Sequence, residues 1–150
     1  MEFGRAGVVG AGTMGAGIAY VLARSGAEVW VVEPDEEQCR RAVATMQRAA
    51  GATEPAVPAS GVRWLTTTSD LPVRLDLVVE AVPERAELKR EILAAAYGRQ
   101  PRLLGTNTSS IPVSELARDL PVPAALVGLH FFNPVWVMEL LEVVRSPDTD

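Results

Sequence analysis

A chain of 150 residues, 48% of them hydrophobic and 22% charged, suits one domain with a real core and excludes wholesale disorder. Its net charge of −5 and pI near 4.9 exclude the basic face that nucleic acid demands, and it has no run of 18 apolar residues to span a membrane. The start, Met1-Glu-Phe-Gly-Arg5, does not read as a signal peptide, and a lone Cys39 excludes both a disulfide framework and a cysteine-rich zinc site, so a reducing cytoplasmic setting is expected.

In chain order, Arg5 to Val9 reads as a short strand running into glycines, and Thr13 to Arg24 as a helix stopped by Ser25-Gly26. Glu28 to Glu33 is a β-branched, buried strand. Pro34 and three acids open a second helix that reaches Ala50. Gly51 to Gly61 is a loop, and Val62 to Thr66 a short strand. Leu75 to Glu80 is a clear buried strand, followed by a helix from Pro83 to Tyr97. Strands follow at Arg102 to Thr106, Leu126 to Phe131 and Met138 to Val144, with a short helix from Val113 to Leu120. Such alternation implies an α/β domain, doubly wound, with a mostly parallel sheet and helices on both faces. We expect the domain to occupy residues 1–146, with 147–150 beginning a connection to something else.

Gly10-Ala11-Gly12-Thr13-Met14-Gly15 follows the first strand and opens the first helix, the spacing of a Rossmann dinucleotide fingerprint. Gly10 allows the tight turn, Gly12 lets the backbone approach a pyrophosphate, and Gly15 lets the helix pack close to the strand. Glu33 ends the second strand 21 residues past Gly12, where an acid accepts the ribose hydroxyls. It would repel a 2′-phosphate, and Arg40 and Arg41 lie too far into the helix to clamp one. NAD is therefore favoured over NADP. The bland readings are a structural glycine turn and a solvated strand-end acid.

Chemistry in such a domain belongs at the carboxyl ends of the strands. His130 is the single histidine, at the end of a predicted strand in Gly128-Leu-His-Phe-Phe-Asn-Pro134. Asn107-Thr-Ser-Ser110 follows another strand, and Glu142 lies downstream. On periodicity alone, a core histidine and a catalyst both remain open.

Together, Val9-Gly-Ala-Gly-Thr-Met-Gly-Ala-Gly-Ile18, Asn107-Thr-Ser-Ser110 and His130-Phe-Phe-Asn-Pro134 with Met138 and Glu142 resemble the L-3-hydroxyacyl-CoA dehydrogenases, a group that includes the 3-hydroxybutyryl-CoA dehydrogenases. The resemblance covers nearly the whole chain. It implies NAD-dependent interconversion of a 3-hydroxyacyl and a 3-oxoacyl thioester, in fatty acid metabolism. It implies that His130 is the general base for the 3-hydroxyl proton and Glu142 its partner carboxylate. An imidazole serves both directions because it titrates near neutral pH. Ser109 matches the serine that hydrogen-bonds the substrate oxygen near the cofactor, and Asn133 a residue at the nicotinamide end. Glu84 and Lys89 match two further dinucleotide contacts. Lys89 is the only lysine among 14 basic residues, and its alternative reading is a surface charge pair on a helix.

The sequence departs from the family in three places. Relatives continue into an all-helical second domain that closes over the acyl group and forms most of a homodimer interface. Positions that contact coenzyme A in relatives correspond here to Ala49 and Ala56, leaving Arg48 or Arg63 to serve the nucleotide, or an acyl carrier protein to replace it. Trp136 either narrows the acyl pocket or packs. The competing functions are a hydroxyacid dehydrogenase of the L-gulonate type and a nucleotide-binding module without catalysis.

Overall fold

The computed structural model describes residues 3–53, 61–147 and Thr149. Seven strands form one sheet: β1 Arg5–Val9, β2 Glu28–Val32, β3 Val62–Leu65, β4 Leu77–Glu80, β5 Leu103–Thr106, β6 Leu126–Phe131 and β7 Leu141–Val144. Their order is β3-β2-β1-β4-β5-β6-β7. The pairs from β3 through β6 are parallel, and β7 lies antiparallel to β6 at the edge. The strand order reverses between β1 and β4, and a doubly wound sheet opens its ligand crevice at that switch point.

Among the described residues, four α-helices cover the sheet: α1 Thr13–Arg24, α2 Glu36–Gly51, α3 Ala86–Tyr97 and α4 Val113–Ala117. Strand side chains alternate between two cores, as period-2 geometry requires. Val8, Val29, Val31 and Val79 pack with Ile18, Tyr20 and Met46 of α1 and α2. Val9, Trp30, Val78 and Leu104 pack on the opposite face with Leu93 and Leu116 of α3 and α4. No helix among the described residues is long and apolar enough to cross a membrane.

The boundaries differ from expectation where side chains outrank propensity. The second helix begins at Glu36 because Asp35 caps it, accepting from the amides of Glu37 and Gln38. The third begins at Ala86 rather than Pro83, since residues 81–85 run along the carboxyl end of the sheet and Lys89 N–H makes its bond to Arg85 O. The last strand starts at Leu141, not Met138, because Val137 and Met138 donate to Pro134 O in a turn. Ala56 and most of the 51–61 loop lie outside the described residues. At the chain's end, the Thr149 hydroxyl accepts from Ser146 N–H and donates to Leu126 O, tying this segment back to β6.

Candidate active site

The glycine loop lies at the carboxyl end of β1. Gly10 has φ +95°, and a Cβ there would sit 2.7 Å from Ala81 O. A Cβ on Gly15 would sit 1.9 Å from Gly10 O, whereas one on Gly12 would enter open space. Gly10 and Gly15 are thus required by the protein itself, whereas nothing in the chain crowds Gly12, which lines a cleft. The first helical N–H to find its acceptor inside α1 is that of Ala16, on Gly12 O. The preceding helix-start amides are the ordinary place for an anion. Ala11 is buried, and both its backbone groups are engaged: its N–H donates to Glu33 Oε2 at 3.1 Å and its carbonyl accepts from Gln38 Nε2 at 2.9 Å. It anchors the loop rather than offering a free donor.

Glu33 stands just past β2, and its other oxygen accepts from Asp35 N–H at 3.1 Å. Two backbone donors fix the carboxylate beside the loop. Gln38, one turn along α2, lines the same cleft and was not singled out by sequence; its only signal was its spacing from Glu33. Arg40 and Arg41 are exposed and paired with Glu37, so neither is poised beside the Glu33 carboxylate.

Three adjoining clefts run along the carboxyl edge of the sheet. One of about 420 Å³ lies between the ends of β2 and β3 and helix α3, walled by Val32, Pro34, Val82, Leu88 and Ile92. A second, of about 440 Å³, joins Gly12, Thr13 and Met14 to Glu33 and Gln38. The third, of about 370 Å³, is lined by Met14, Glu84, Asn107, Ser109, His130 and Asn133. Val82 borders all three. An apolar slot, an anion-binding loop flanked by an acid, and a polar chamber occur in that order. An extended dinucleotide would fit them with its adenine in the first, its ribose-pyrophosphate in the second, over the open space at Gly12, and its nicotinamide in the third.

His130 and Glu142 are register partners across β6 and β7. Nδ1 of His130 lies 2.9 Å from Glu142 Oε2, and the imidazole packs against Phe132 at 4.5 Å between centroids. That hydrogen bond orients the ring and leaves Nε2 for a ligand in the cleft. Asn133 precedes a cis proline and is exposed at the cleft. The segment after it closes on α1 at Gly17, where a Cβ would meet Val135 at 2.8 Å. Trp136 packs, partly buried, against the α1 core, which favours its packing role.

Beneath the third cleft lies a buried ionic cluster. Glu80 is fully buried; one oxygen accepts from Lys89 Nζ at 2.8 Å and Val82 N–H at 2.7 Å, the other from Thr106 Oγ1 at 2.6 Å. Lys89 is 1% exposed, and Nζ also reaches Val82 O at 3.1 Å and Glu84 Oε2 at 3.2 Å. This corrects the reading of Lys89 as a surface charge pair: its ammonium contacts Glu80, Val82 O and Glu84 inside the protein, and Glu84 in turn lines the cleft. On Glu84, Oε1 accepts from the Thr108 hydroxyl, the amides of Ser109 and Ser110 at 3.2 Å, and Ser110 Oγ at 3.1 Å. Burial works to raise the Glu84 pKa, but the Thr108 hydroxyl, the Lys89 ammonium and the Ser110 amide outweigh it and bring it down to about 2. Ser109 is held at the cleft by this arrangement. Asn107 Oδ1 accepts from Phe131 N–H at 2.9 Å and ties the same loop to β6 beside His130.

Of the positions considered for a coenzyme A nucleotide, Ala49 is buried in the core. Arg63 pairs with Glu28 and stacks 5.2 Å from the centroid of Trp30, toward the amino ends of the strands and away from the cleft. Arg48 is exposed in the last turn of α2.

Comparison with known proteins identifies the family. The family described as 3-hydroxyacyl-CoA dehydrogenase, NAD binding domain, matches residues 5–150. A 3-hydroxybutyryl-CoA dehydrogenase of Mycobacterium tuberculosis is 43% identical over 157 aligned positions, covering 97% of this chain and 55% of that protein. The structure of the Escherichia coli K12 3-hydroxybutyryl-CoA dehydrogenase superposes with a TM-score of 0.86 at 34% identity, over 100% of this chain and 34% of that one. That of a Ralstonia eutropha (S)-3-hydroxybutyryl-CoA dehydrogenase gives 0.85 at 34% identity, over 98% and 56%. The chain spans about half the length of the curated relatives it matches.

Proposed function

We propose, from the premise that this chain belongs to the 3-hydroxyacyl-CoA dehydrogenase family and is an NAD-binding domain of it, that it supplies the cofactor site and the acid–base pair for interconverting 3-hydroxyacyl- and 3-oxoacyl-CoA. One observation carries the reading: the His130–Glu142 pair faces the same cleft as Ser109 and the end of the glycine loop.

When bound, NAD accepts or returns hydride at the substrate carbon. The protein's residues do the rest. Gly12, Thr13, Met14 and Gly15 present helix-start amides to the pyrophosphate, and Glu33 accepts the ribose hydroxyls. Asn133 and Glu84 border the nicotinamide. His130 Nε2 takes the 3-hydroxyl proton as hydride leaves carbon, and Glu142 on Nδ1 stabilises the imidazolium that results. The Ser109 hydroxyl donates a hydrogen bond to the substrate oxygen. Coenzyme A is the carrier we assign, from the likeness to 3-hydroxybutyryl-CoA dehydrogenases. Arg48, at the end of α2, lies on the amino side of the sheet, as Arg63 does, so neither cation is placed at the cleft. The other wall of the acyl site and a homodimer interface would come from the part of the relatives that this chain does not span.

The test is the rate of NADH formation from 3-hydroxybutyryl-CoA by the protein carrying this domain, with the same acyl group offered on an acyl carrier protein. Turnover on the CoA ester that falls at least ~10²-fold in His130→Gln supports the assignment. Preference for the carrier protein would overturn the choice of carrier. NAD binding without turnover on either would leave a non-catalytic module.

A further inference from the structure

The ionic cluster under the third cleft does not balance. Glu80 and Lys89 are both essentially withdrawn from solvent and paired at 2.8 Å, so their charges cancel. Glu84 is the third member, and its charge is left over. Its side chain is 35% exposed, and it opens onto the chamber that also holds Met14, Ser109, His130 and Asn133. Five donors converge on it: the Thr108 and Ser110 hydroxyls, the Ser109 and Ser110 amides, and Lys89. Such a set holds a carboxylate in its charged form and in one place.

The nicotinamide ring carries a positive charge in NAD⁺ and none in NADH. We infer that Glu84 is a redox-state selector: the uncompensated charge of the Glu80–Lys89–Glu84 cluster favours the oxidised cofactor over the reduced one. Lys89, with its ammonium on Glu80, Val82 O and Glu84, is the positioning residue that places this charge. Glu142, the other acid beside the chamber, is directed to His130 Nδ1 and is half exposed to water, so its field is better screened. Binding NAD⁺ in preference lowers the potential of the bound couple, by about 30 mV for each tenfold in affinity ratio. Glu84 thereby makes the bound, reduced cofactor a stronger hydride donor.

The inference rests on the dinucleotide reading above, and calorimetry on the unmodified chain separates the two. Dissociation constants for NAD⁺ and NADH are measured for the native chain, Glu84→Gln, Glu84→Asp and Thr108→Val. Glu84→Gln is expected to shift the NAD⁺-to-NADH affinity ratio against NAD⁺ by at least about threefold, an attenuated value for a charge partly open to water. Glu84→Asp keeps the charge and should keep most of the ratio. Thr108→Val loosens the loop without touching the charge, and should weaken both ligands together. Equal weakening of NAD⁺ and NADH by Glu84→Gln would reduce Glu84 to a structural role and overturn the selector. Failure of the native chain to bind either nucleotide would overturn the dinucleotide reading, and this inference with it.

Discussion

His130 and Glu142 oppose each other across the antiparallel pair of β6 and β7, with Nδ1 and Oε2 2.9 Å apart. The edge strand exists in the right orientation to do this only because the chain turns at residues 134–138 and returns against β6. A cross-strand pair is held by two backbones at once, so the ring is oriented before any substrate arrives. In the protein that carries this domain, His130→Gln is expected to lower kcat at least ~10²-fold, and Glu142→Gln about tenfold or more, with little change in KM for NAD⁺. Because Glu142 is half exposed, its variant should melt within a few degrees of the parent. Steady-state kinetics beside a thermal melt checks both statements.

The glycine loop separates folding from binding. Gly15→Ala would drive a Cβ into Gly10 O, whereas Gly12→Ala would place one in open space. The first variant should therefore lose several degrees of Tm, and the second should melt like the parent yet lose at least about tenfold in NADH affinity. Differential scanning calorimetry and a binding titration on the same two samples decide it. Equal melting losses in both would contradict the assignment of Gly12 to the ligand.

We propose that Glu33 carries the choice between cofactors. Its carboxylate is pinned by the amides of Ala11 and Asp35, and Arg40 and Arg41 are committed to Glu37. NADH is expected to bind at least about tenfold more tightly than NADPH, and Glu33→Ser to narrow the gap. Competition titrations with the two nucleotides measure this directly.

Removing Lys89 should harm stability more than any exposed charge on the molecule. Lys89→Met would strand the fully buried Glu80, and breaking a buried pair typically costs about 3–5 kcal/mol. Urea denaturation would show this, and the double variant Glu80→Gln with Lys89→Met should recover much of the loss.

Glu84 links stability to acid. Its pKa is lowered in the folded chain from 4.5 to about 2. The stabilisation is therefore fully present above pH 4.5 and disappears as pH falls towards 2. Urea midpoints measured through this window should fall with pH in the parent and fall less steeply in Glu84→Gln.

Most of the fold could be read from the residues because each strand is a contiguous β-branched run and each early helix carries its own start and stop. The glycine loop and Glu33 were legible for the same reason: their roles depend on spacing along a single βαβ unit. The burial of Lys89 was not. Its position on an amphipathic helix looks like surface, and only the fold brings Glu80 and Glu84 around it. Asn107 and Thr108 were visible as a motif, but their partners, Phe131 and Glu84, lie 24 residues away in opposite directions. Gln38 acts through Ala11, 27 residues back. Local pattern cannot carry such pairings.

Function in this domain depends on where the two ends of the dinucleotide lie. A crystal structure of the chain with NAD⁺ tests this most directly. It should show the adenine between Pro34, Leu88 and Ile92, the pyrophosphate over Gly12, and the nicotinamide in the chamber of Ser109, His130 and Asn133. A nucleotide bound in the reverse sense, or with its nicotinamide outside that chamber, would contradict it.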